Sequence, residues 1–276
     1  MLFITATFVL MQILGYFASL LIGISLGMIG GGGSILTVPV LVYMFGISPV
    51  LSTSYSLFVV GSTSLVGAFN NYRKGFVNIK TALLFGLSSI TTVFLTRKFL
   101  IPHIPQTLGS IGNFKITQSL VIMVLFAILM VAASLSMIKS KKEETNNITV
   151  ENKKINLPKL LSYGIAIGLA TGFLGAGGGF LLIPTLVLLV KLPMKEAIGT
   201  SLFIIALNSL IGFTGDLGHF TIDWFFLFKI TCIAIAGIFI GGFISKKISG
   251  DKLKKGFGWF VLVMGIYIIV KEVFWN

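Results

Sequence analysis

Two glycine clusters in this 276-residue chain could supply backbone N–H groups for binding an anion. Consecutive glycines make a poor helix, so we expect each cluster to break a helix and to leave free N–H groups at the start of the next one. Such helix starts attract anions through their free donors and the helix dipole. No strand precedes either cluster and no Gly-Lys-Ser/Thr follows, which excludes a dinucleotide fingerprint and a P-loop. The clusters comprise Gly30, Gly31, Gly32, Gly33 and Ser34, and then Gly175, Gly177, Gly178 and Gly179.

Hydroxyl and amide side chains in the apolar segments that follow the clusters form a second candidate set. Ser56 and Ser201 occupy equivalent positions 145 residues apart, Thr200 precedes Ser201, and the amide of Asn208 falls in mid-segment. Hydroxyls and amides can replace the water around an anion without holding it as tightly as a salt bridge does. The alternative is that they bond back to their own helix or to a neighbouring one. We expect substrate contacts from all four.

Charged side chains are scarce inside the apolar segments. Lys229 is the one cation well inside such a segment, where it either draws anions inward or snorkels to the membrane surface. Asp216 and His219 are candidates for an outer gate or a proton-sensitive pair, the alternative being solvated loop residues. The eight acidic residues fall in loops or at segment ends, which disfavours a carboxylate-based sodium or proton exchanger.

The chain has little material for enzymatic or redox chemistry. It contains one cysteine and two histidines, too few for a cysteine or histidine metal cluster, and it has no haem-attachment or paired-carboxylate motif. We therefore predict no catalytic residue, no metal site, no cofactor and no enzymatic activity. A membrane redox protein and a non-transporting membrane sensor or assembly protein are the alternatives to a transporter.

The composition is that of an integral membrane protein. Hydrophobic residues make up 55% and charged residues 11% of the chain, and the mean hydropathy is +1.02. The apolar segments are long and show no two-residue alternation, so we predict an all-α fold rather than a β-barrel. The net charge is +13, and the basic residues that produce it lie between these segments. In a membrane protein such residues indicate the orientation in the lipid bilayer. We therefore expect no nucleic-acid partner.

The glycine clusters belong to an internal repeat with a constant offset of 145 residues. It aligns Gly27 with Gly172, Pro39 with Pro184, and Ser56 with Ser201. We predict a first transmembrane module at 1–138, a cytoplasmic linker at 139–159 and a second module at 160–276, each module with five helical segments. The segments are 8–28, 34–45, 49–69, 79–96 and 117–138 in the first module, and 160–174, 179–190, 195–214, 222–245 and 253–270 in the second.

The second segment of each module is about a dozen residues long, well short of the ~20 residues that cross hydrocarbon. Together with the glycines, this predicts a broken pair of helices in each module. Equivalent loops differ in charge: 70–80 is basic, whereas 215–223 is acidic. This favours inverted repeats, with the two breaks meeting near the membrane midplane around one substrate. The same topology puts Arg97, Lys98 and Lys115 outside.

The duplicated glycine motif, the proline that follows it and the Thr200-Ser201 start of the next segment resemble the TauE/SafE sulfite exporter family. The resemblance implies a multi-pass transporter of a bacterial-type plasma (inner) membrane, acting on sulfite, sulfoacetate, thiosulfate or similar anions in either direction. The first copy departs from the second in having Ser34 for Gly179 and Tyr55 for Thr200. Our hypothesis is a secondary transporter that works by alternating access. No particular coupling ion or oligomeric state is indicated.

Overall fold

The computed structural model describes residues 2–111, 114–139, 157–244 and 250–274, and these are almost entirely helical, as the sequence predicts. The predicted linker at 139–159 lies outside the described residues except at its two ends. The first module contains Leu2–Ile29 (α1), Thr37–Phe45 (α2), Pro49–Arg73 (α3), Ile79–Leu95 (α4), Ile101–His103 (α5) and Gln118–Lys139 (α6). The second contains Leu157–Leu174 (α7), Gly179–Leu189 (α8), Met194–Asp216 (α9), Trp224–Ile244 (α10) and Gly250–Phe274 (α11).

Three smaller elements belong to the first module. A 3-10 helix at Gly32–Leu36 precedes α2, and a π-helical turn at Thr96–Leu100 connects α4 to α5. An antiparallel hairpin of two strands, β1 (Thr107–Ile111) and β2 (Phe114–Thr117), then leads into α6. The pattern of apolar segments does not predict this hairpin, because it lies in the 20-residue connection 97–116 between two of those segments.

The offset of 145 residues is visible in the ends of the helices. Helices α1 and α7 end at Ile29 and Leu174, and helices α3 and α9 begin at Pro49 and Met194. Helices α4 and α10 also begin 145 residues apart, each behind a side chain that caps it. Asn78 accepts a hydrogen bond from the N–H of Thr81, and Asp223 accepts one from the N–H of Phe226, both at 3.0 Å. The repeat therefore conserves the same helix-start chemistry in both modules.

Seven helices in the described part of the chain are long and apolar enough to cross a membrane. Helix α8 has 11 residues, or about 16 Å of helix, against a hydrocarbon core of ~30 Å. It cannot cross the bilayer alone, and α2 is shorter still. The seven long segments are Leu10–Ile29, Pro49–Arg73, Ile79–His103, Gln118–Lys139, Met194–Asp216, Trp224–Ile244 and Lys255–Phe274.

Equivalent helices of the two modules pack against each other in opposite directions. Along α3 and α9, Gly61 lies against Leu210 while Gly67 lies against Leu202, so the two helices are antiparallel. Helices α6 and α11 are also antiparallel, since Gly258 lies against Met137 and Gly265 against Met130. This course supports the inverted repeat, whose orientation across a membrane stays a prediction.

The modules interlock by exchanging their first helices. Helix α1 runs along α10 of the other module, with Gly23 against the carbonyl of Ala234 and Gly237 against that of Leu20. Helix α7 runs along α4 in the same way, with Gly168 against the carbonyl of Ser89. Small residues let the backbones approach closely, which is how helices associate without water to drive them together.

Candidate functional site

The two glycine clusters meet inside the protein. A Cβ atom added to Gly31 would lie 2.7 Å from the carbonyl oxygen of Gly179, and one added to Gly179 would lie 2.6 Å from the Cα of Gly31. Both residues are buried. The clusters thus bring two helix breaks, one from each module, into backbone contact, a position at which only glycine fits.

The second break is a left-handed turn between α7 and α8. Gly175 donates its N–H to the carbonyl of Thr171 at 2.8 Å, which is the last bond of α7. Gly177 and Gly178 then have φ values of +66° and +68°, which only glycine adopts readily, and Gly178 is the N-cap of α8. No backbone carbonyl among the described residues accepts the N–H groups of Gly177 and Gly178. These donors have the position expected for anion binding.

The first break has a different geometry. Gly30 donates to the carbonyl of Leu26 at 2.9 Å and has a φ of +81°, but the chain then enters the 3-10 helix at Gly32–Leu36. The Ser34 hydroxyl donates to the carbonyl of Gly31 at 2.8 Å and so closes the turn. Ser34 therefore stabilises the break itself, and the two breaks are related in position but not in conformation.

Three of the four predicted side-chain contacts already have backbone partners. The Ser56 hydroxyl donates to the carbonyl of Gly175 at 2.7 Å, which ties α3 to the second break. The Ser201 hydroxyl donates to the carbonyl of Ile198 at 2.9 Å within its own helix. The Thr200 hydroxyl accepts a hydrogen bond of 2.9 Å from the N–H of Asn78. These residues hold elements in place, as the alternative interpretation in the sequence analysis expects of such hydroxyls.

Asn208 has a free donor in the interior. Its Oδ1 atom accepts a hydrogen bond of 3.0 Å from the hydroxyl of Ser89 on α4, whereas its Nδ2 atom has no partner. Both side chains are fully buried. A buried amide donor without a partner is costly to keep, so Asn208 remains a candidate for contacting a bound molecule.

Two unpaired hydroxyls beside the second break were not among the candidate residues. The Ser209 hydroxyl is buried and without a partner, and it faces the Cα hydrogen of Gly177. The Thr171 hydroxyl is also unpaired and faces Gly178. The repeat gave one signal for Ser209, because its equivalent is Ser64, which is likewise buried and unpaired.

Lys229 is exposed on the surface of the protein, whereas Gly31 and Gly179 at the breaks are buried. Its side chain is exposed, and its ammonium group lies 5.3 Å from the ring centre of Tyr16 and 5.2 Å from that of Phe225. Cation–π contacts of this kind are typical of a lysine at the edge of an apolar surface. The geometry favours the snorkelling interpretation over the attraction of anions to the interior.

Asp216 is not a solvated loop residue, which corrects one interpretation from the sequence. It is the last residue of α9, and its Oδ2 atom lies 3.2 Å from Nη1 of Arg97. The exposed fractions of the two side chains are 1% and 0%. Arg97, expected in an outside loop, is instead buried in the π-helical turn after α4. His219 remains exposed near Asp216, to whose carbonyl it donates its backbone N–H at 3.1 Å.

The protein is closed around the second break. A narrow gap beside Gly178 is lined almost entirely by carbon atoms and leaves no room for a water molecule. Access to the break therefore requires helices to move apart. The residues that line this gap are Ala170, Thr171, Leu174, Ala176, Gly178, Phe180 and Leu181.

Among the described residues, no group of three or more His, Cys, Asp and Glu side chains could hold a metal ion.

The family model described as sulfite exporter TauE/SafE matches residues 15–268, which include both breaks and all seven long helices in whole or in large part. The chain belongs to the TauE/SafE family. This confirms the resemblance seen in the duplicated glycine motif. With seven helices of membrane-spanning length, this TauE/SafE protein is a multi-pass protein of the bacterial-type inner membrane.

Curated relatives carry transporter names. A probable membrane transporter protein of Xylella fastidiosa (strain 9a5c) is 29% identical over 90% of this chain and 91% of its own. The probable membrane transporter protein YunE of Bacillus subtilis is 27% identical over 97% of this chain and 99% of its own. No solved structure shows a significant match. The family and these relatives identify a membrane transporter, and they point away from an enzyme.

Proposed function

We propose that this TauE/SafE family member is a secondary transporter of small sulfur-containing oxyanions or organosulfonates, such as sulfite, thiosulfate and sulfoacetate. The family description names sulfite as the exported substrate, and the breaks supply the donors that such an anion needs. The substrate class rests on the family, whereas its negative charge is supported by the free N–H groups at Gly177 and Gly178.

The observation that carries the proposal is the contact between the two breaks. Gly31 and Gly179 come from different modules, so a molecule bound beside them touches both halves of the protein. Because equivalent helices are antiparallel, rocking one module against the other would open the site first on one side and then on the other. Alternating access in inverted-repeat transporters works in this way. The burial of Gly177 and Gly178 is consistent with an occluded state.

Side chains add specificity to these backbone donors. Three buried side chains, Ser209, Thr171 and Asn208, each have a polar atom without a hydrogen-bond partner. An oxyanion has several acceptor oxygens and would use these donors at once. An apolar solute would leave them unpaired, at a cost of about 1–3 kcal/mol for each group.

Flux into proteoliposomes tests the substrate class. We expect saturable uptake of radiolabelled sulfite, thiosulfate or sulfoacetate, each reduced by an excess of the unlabelled others, and none in protein-free liposomes. No flux with any of the three defeats the proposal.

The role of Ser209 has its own control. Ser209→Ala should lower flux by about threefold or more, since one hydrogen bond to a charged group is lost while no existing bond is broken. Ser162→Ala removes an exposed hydroxyl that bonds only to the carbonyl of Lys159 in its own helix, and it should leave flux unchanged. Equal flux in the two variants contradicts a substrate contact at Ser209.

A further inference from the structure

Arg97 is the one lysine or arginine with a buried side chain in the part of the chain that the structure describes. It keeps a single hydrogen bond, from Nη1 to Oδ2 of Asp216 at 3.2 Å. The remaining guanidinium nitrogens, Nε and Nη2, have no partner. Burying charged donors without partners is among the costliest arrangements in a protein, and in membrane segments such residues mark functional sites.

The two unpaired nitrogens form one edge of the guanidinium plane. Their N–H bonds are parallel and spaced to receive two oxygens attached to one central atom, which is the basis of bidentate binding of oxyanions by arginine. Asp216 occupies the other side of the group and leaves this edge free. The free edge therefore has the geometry needed to bind an oxyanion, and no acceptor pairs with it in the closed protein.

The elements that carry the Arg97–Asp216 pair also contact the second break or the helix that leads into it. Thr96, the neighbour of Arg97, packs against Gly172 near the end of α7, three residues before the break begins. The Ser54 hydroxyl on α3 lies beside the Asp216 carboxylate, half a turn from Ser56, which bonds to Gly175. Arg97 itself sits in a π-helical turn, a rare conformation that is frequent at functional sites.

The two repeat-related positions hold no equivalent pair. The position 145 residues after Arg97 is Gly242, and the position 145 residues before Asp216 is Asn71, whose amide donates to the carbonyl of Gly67. The buried ion pair thus has no counterpart at the repeat-related positions.

We propose that the Nε and Nη2 edge of Arg97 binds an oxyanion that carries two oxygens on one central atom, such as sulfite, thiosulfate or a sulfonate. The site is exposed when the helices around the second break move apart, and the anion pairs with the edge that is unpaired in the closed protein. The proposal rests on the proposed function insofar as this anion is the transported substrate.

Thermal unfolding of the purified protein with added sulfite or thiosulfate tests the site without relying on transport, because a ligand that binds the folded state raises its stability. Arg97→Lys keeps the positive charge and the pairing with Asp216 but loses the parallel edge. We expect the apparent affinity for sulfite to fall about tenfold or more. Arg73→Lys makes the same change on an exposed residue and should not alter the response. Chloride, a single atom, should stabilise all three proteins equally.

A second variant keeps the test decisive if Arg97→Lys fails to fold. Arg97→Gln combined with Asp216→Asn replaces the ion pair by two neutral amides, so no unpaired charge stays buried. We expect this double variant to fold and to lose the response to sulfite. A purely structural ion pair predicts an undiminished response in whichever variant folds, and that result overturns the proposal.

The same measurements separate this inference from the proposed function. If sulfite or thiosulfate stabilises the wild-type protein and not the Arg97 variants, while proteoliposomes show no flux, the site stands and the transport of these anions fails. If no oxyanion stabilises the wild-type protein, the Arg97 site is wrong whatever the flux assay shows.

Discussion

Gly31 and Gly179 lie backbone against backbone, one in each module, at the point where the two broken helices meet. A methyl group on Gly31 would come within 2.7 Å of the Gly179 carbonyl, which is well inside van der Waals contact. This contact lies between the two modules and adjoins the proposed anion site. Its tolerance to added volume can be measured directly.

Gly31→Ala should destabilise the protein by about 1–3 kcal/mol, because overpacking at a backbone contact forces the two breaks apart. Thermal unfolding in detergent and sulfite flux in proteoliposomes should both fall. Gly256→Ala is the matched control, since an added Cβ there meets no atom within 4 Å. A Gly31→Ala protein as stable and active as Gly256→Ala would show that the breaks can separate freely.

Ser56→Ala and Ser201→Ala form a pair at repeat-equivalent positions with different expected costs. Ser56 donates to Gly175 in the other module, so its loss leaves a buried carbonyl unpaired, at about 1–3 kcal/mol. Ser201 donates only to Ile198 in its own helix, and its loss should matter less. Denaturant unfolding of both variants tests this. Equal costs would mean that the bond to Gly175 does not stabilise the second break.

The contrast between Ser56 and Ser201 illustrates what the sequence could predict. The repeat located both breaks, the short helices after them and the helix starts, because these depend on local residue types and spacing. It could not tell which buried hydroxyl bonds to the other module and which bonds within its own helix. The partner depends on how α3 and α9 rotate about their axes when they pack. The two serines occupy equivalent positions in the repeat but have different partners.

Arg97 shows a second limit of the sequence pattern. Hydropathy ends the fourth segment at Thr96, since a charged residue in hydrocarbon is costly. The chain instead continues in a π-helical turn and buries the guanidinium against Asp216, which is 119 residues away along the chain. A long-range partner of this kind leaves no local signal, so the residue was expected on the outside.

Lys229→Gln should change flux by less than about twofold, as expected for an exposed substitution away from packed features. The exposed ammonium group lies near the rings of Tyr16 and Phe225. Concentration-dependent uptake of sulfite measures the effect. A large rise in the half-saturating concentration would revive the idea that Lys229 draws anions inward.

Residues after α3 and after α9 should lie on opposite sides of the membrane, because these two helices are antiparallel. Lys74→Cys and His219→Cys place one thiol in each exposed loop, in a background in which the lone Cys232 is replaced by serine. A membrane-impermeant maleimide should label one variant in intact cells and the other only in inside-out vesicles. Labelling of both from the same side would contradict the inverted repeat.

Tyr55 and Thr200, which differ in the two copies, make the same contact in opposite modules. The Tyr55 hydroxyl accepts from the N–H of Asp223 at 2.7 Å, and the Thr200 hydroxyl accepts from that of Asn78 at 2.9 Å. Tyr55→Phe and Thr200→Val each leave one N–H without its acceptor, so both should destabilise by about 1–3 kcal/mol. The two sites lie at opposite ends of the antiparallel pair α3 and α9, so the double variant should show the sum within about 0.5 kcal/mol. Denaturant unfolding of the wild-type protein, the two single variants and the double variant measures these free energies. A cost at only one of the two positions would mean that the repeated contact stabilises a single module.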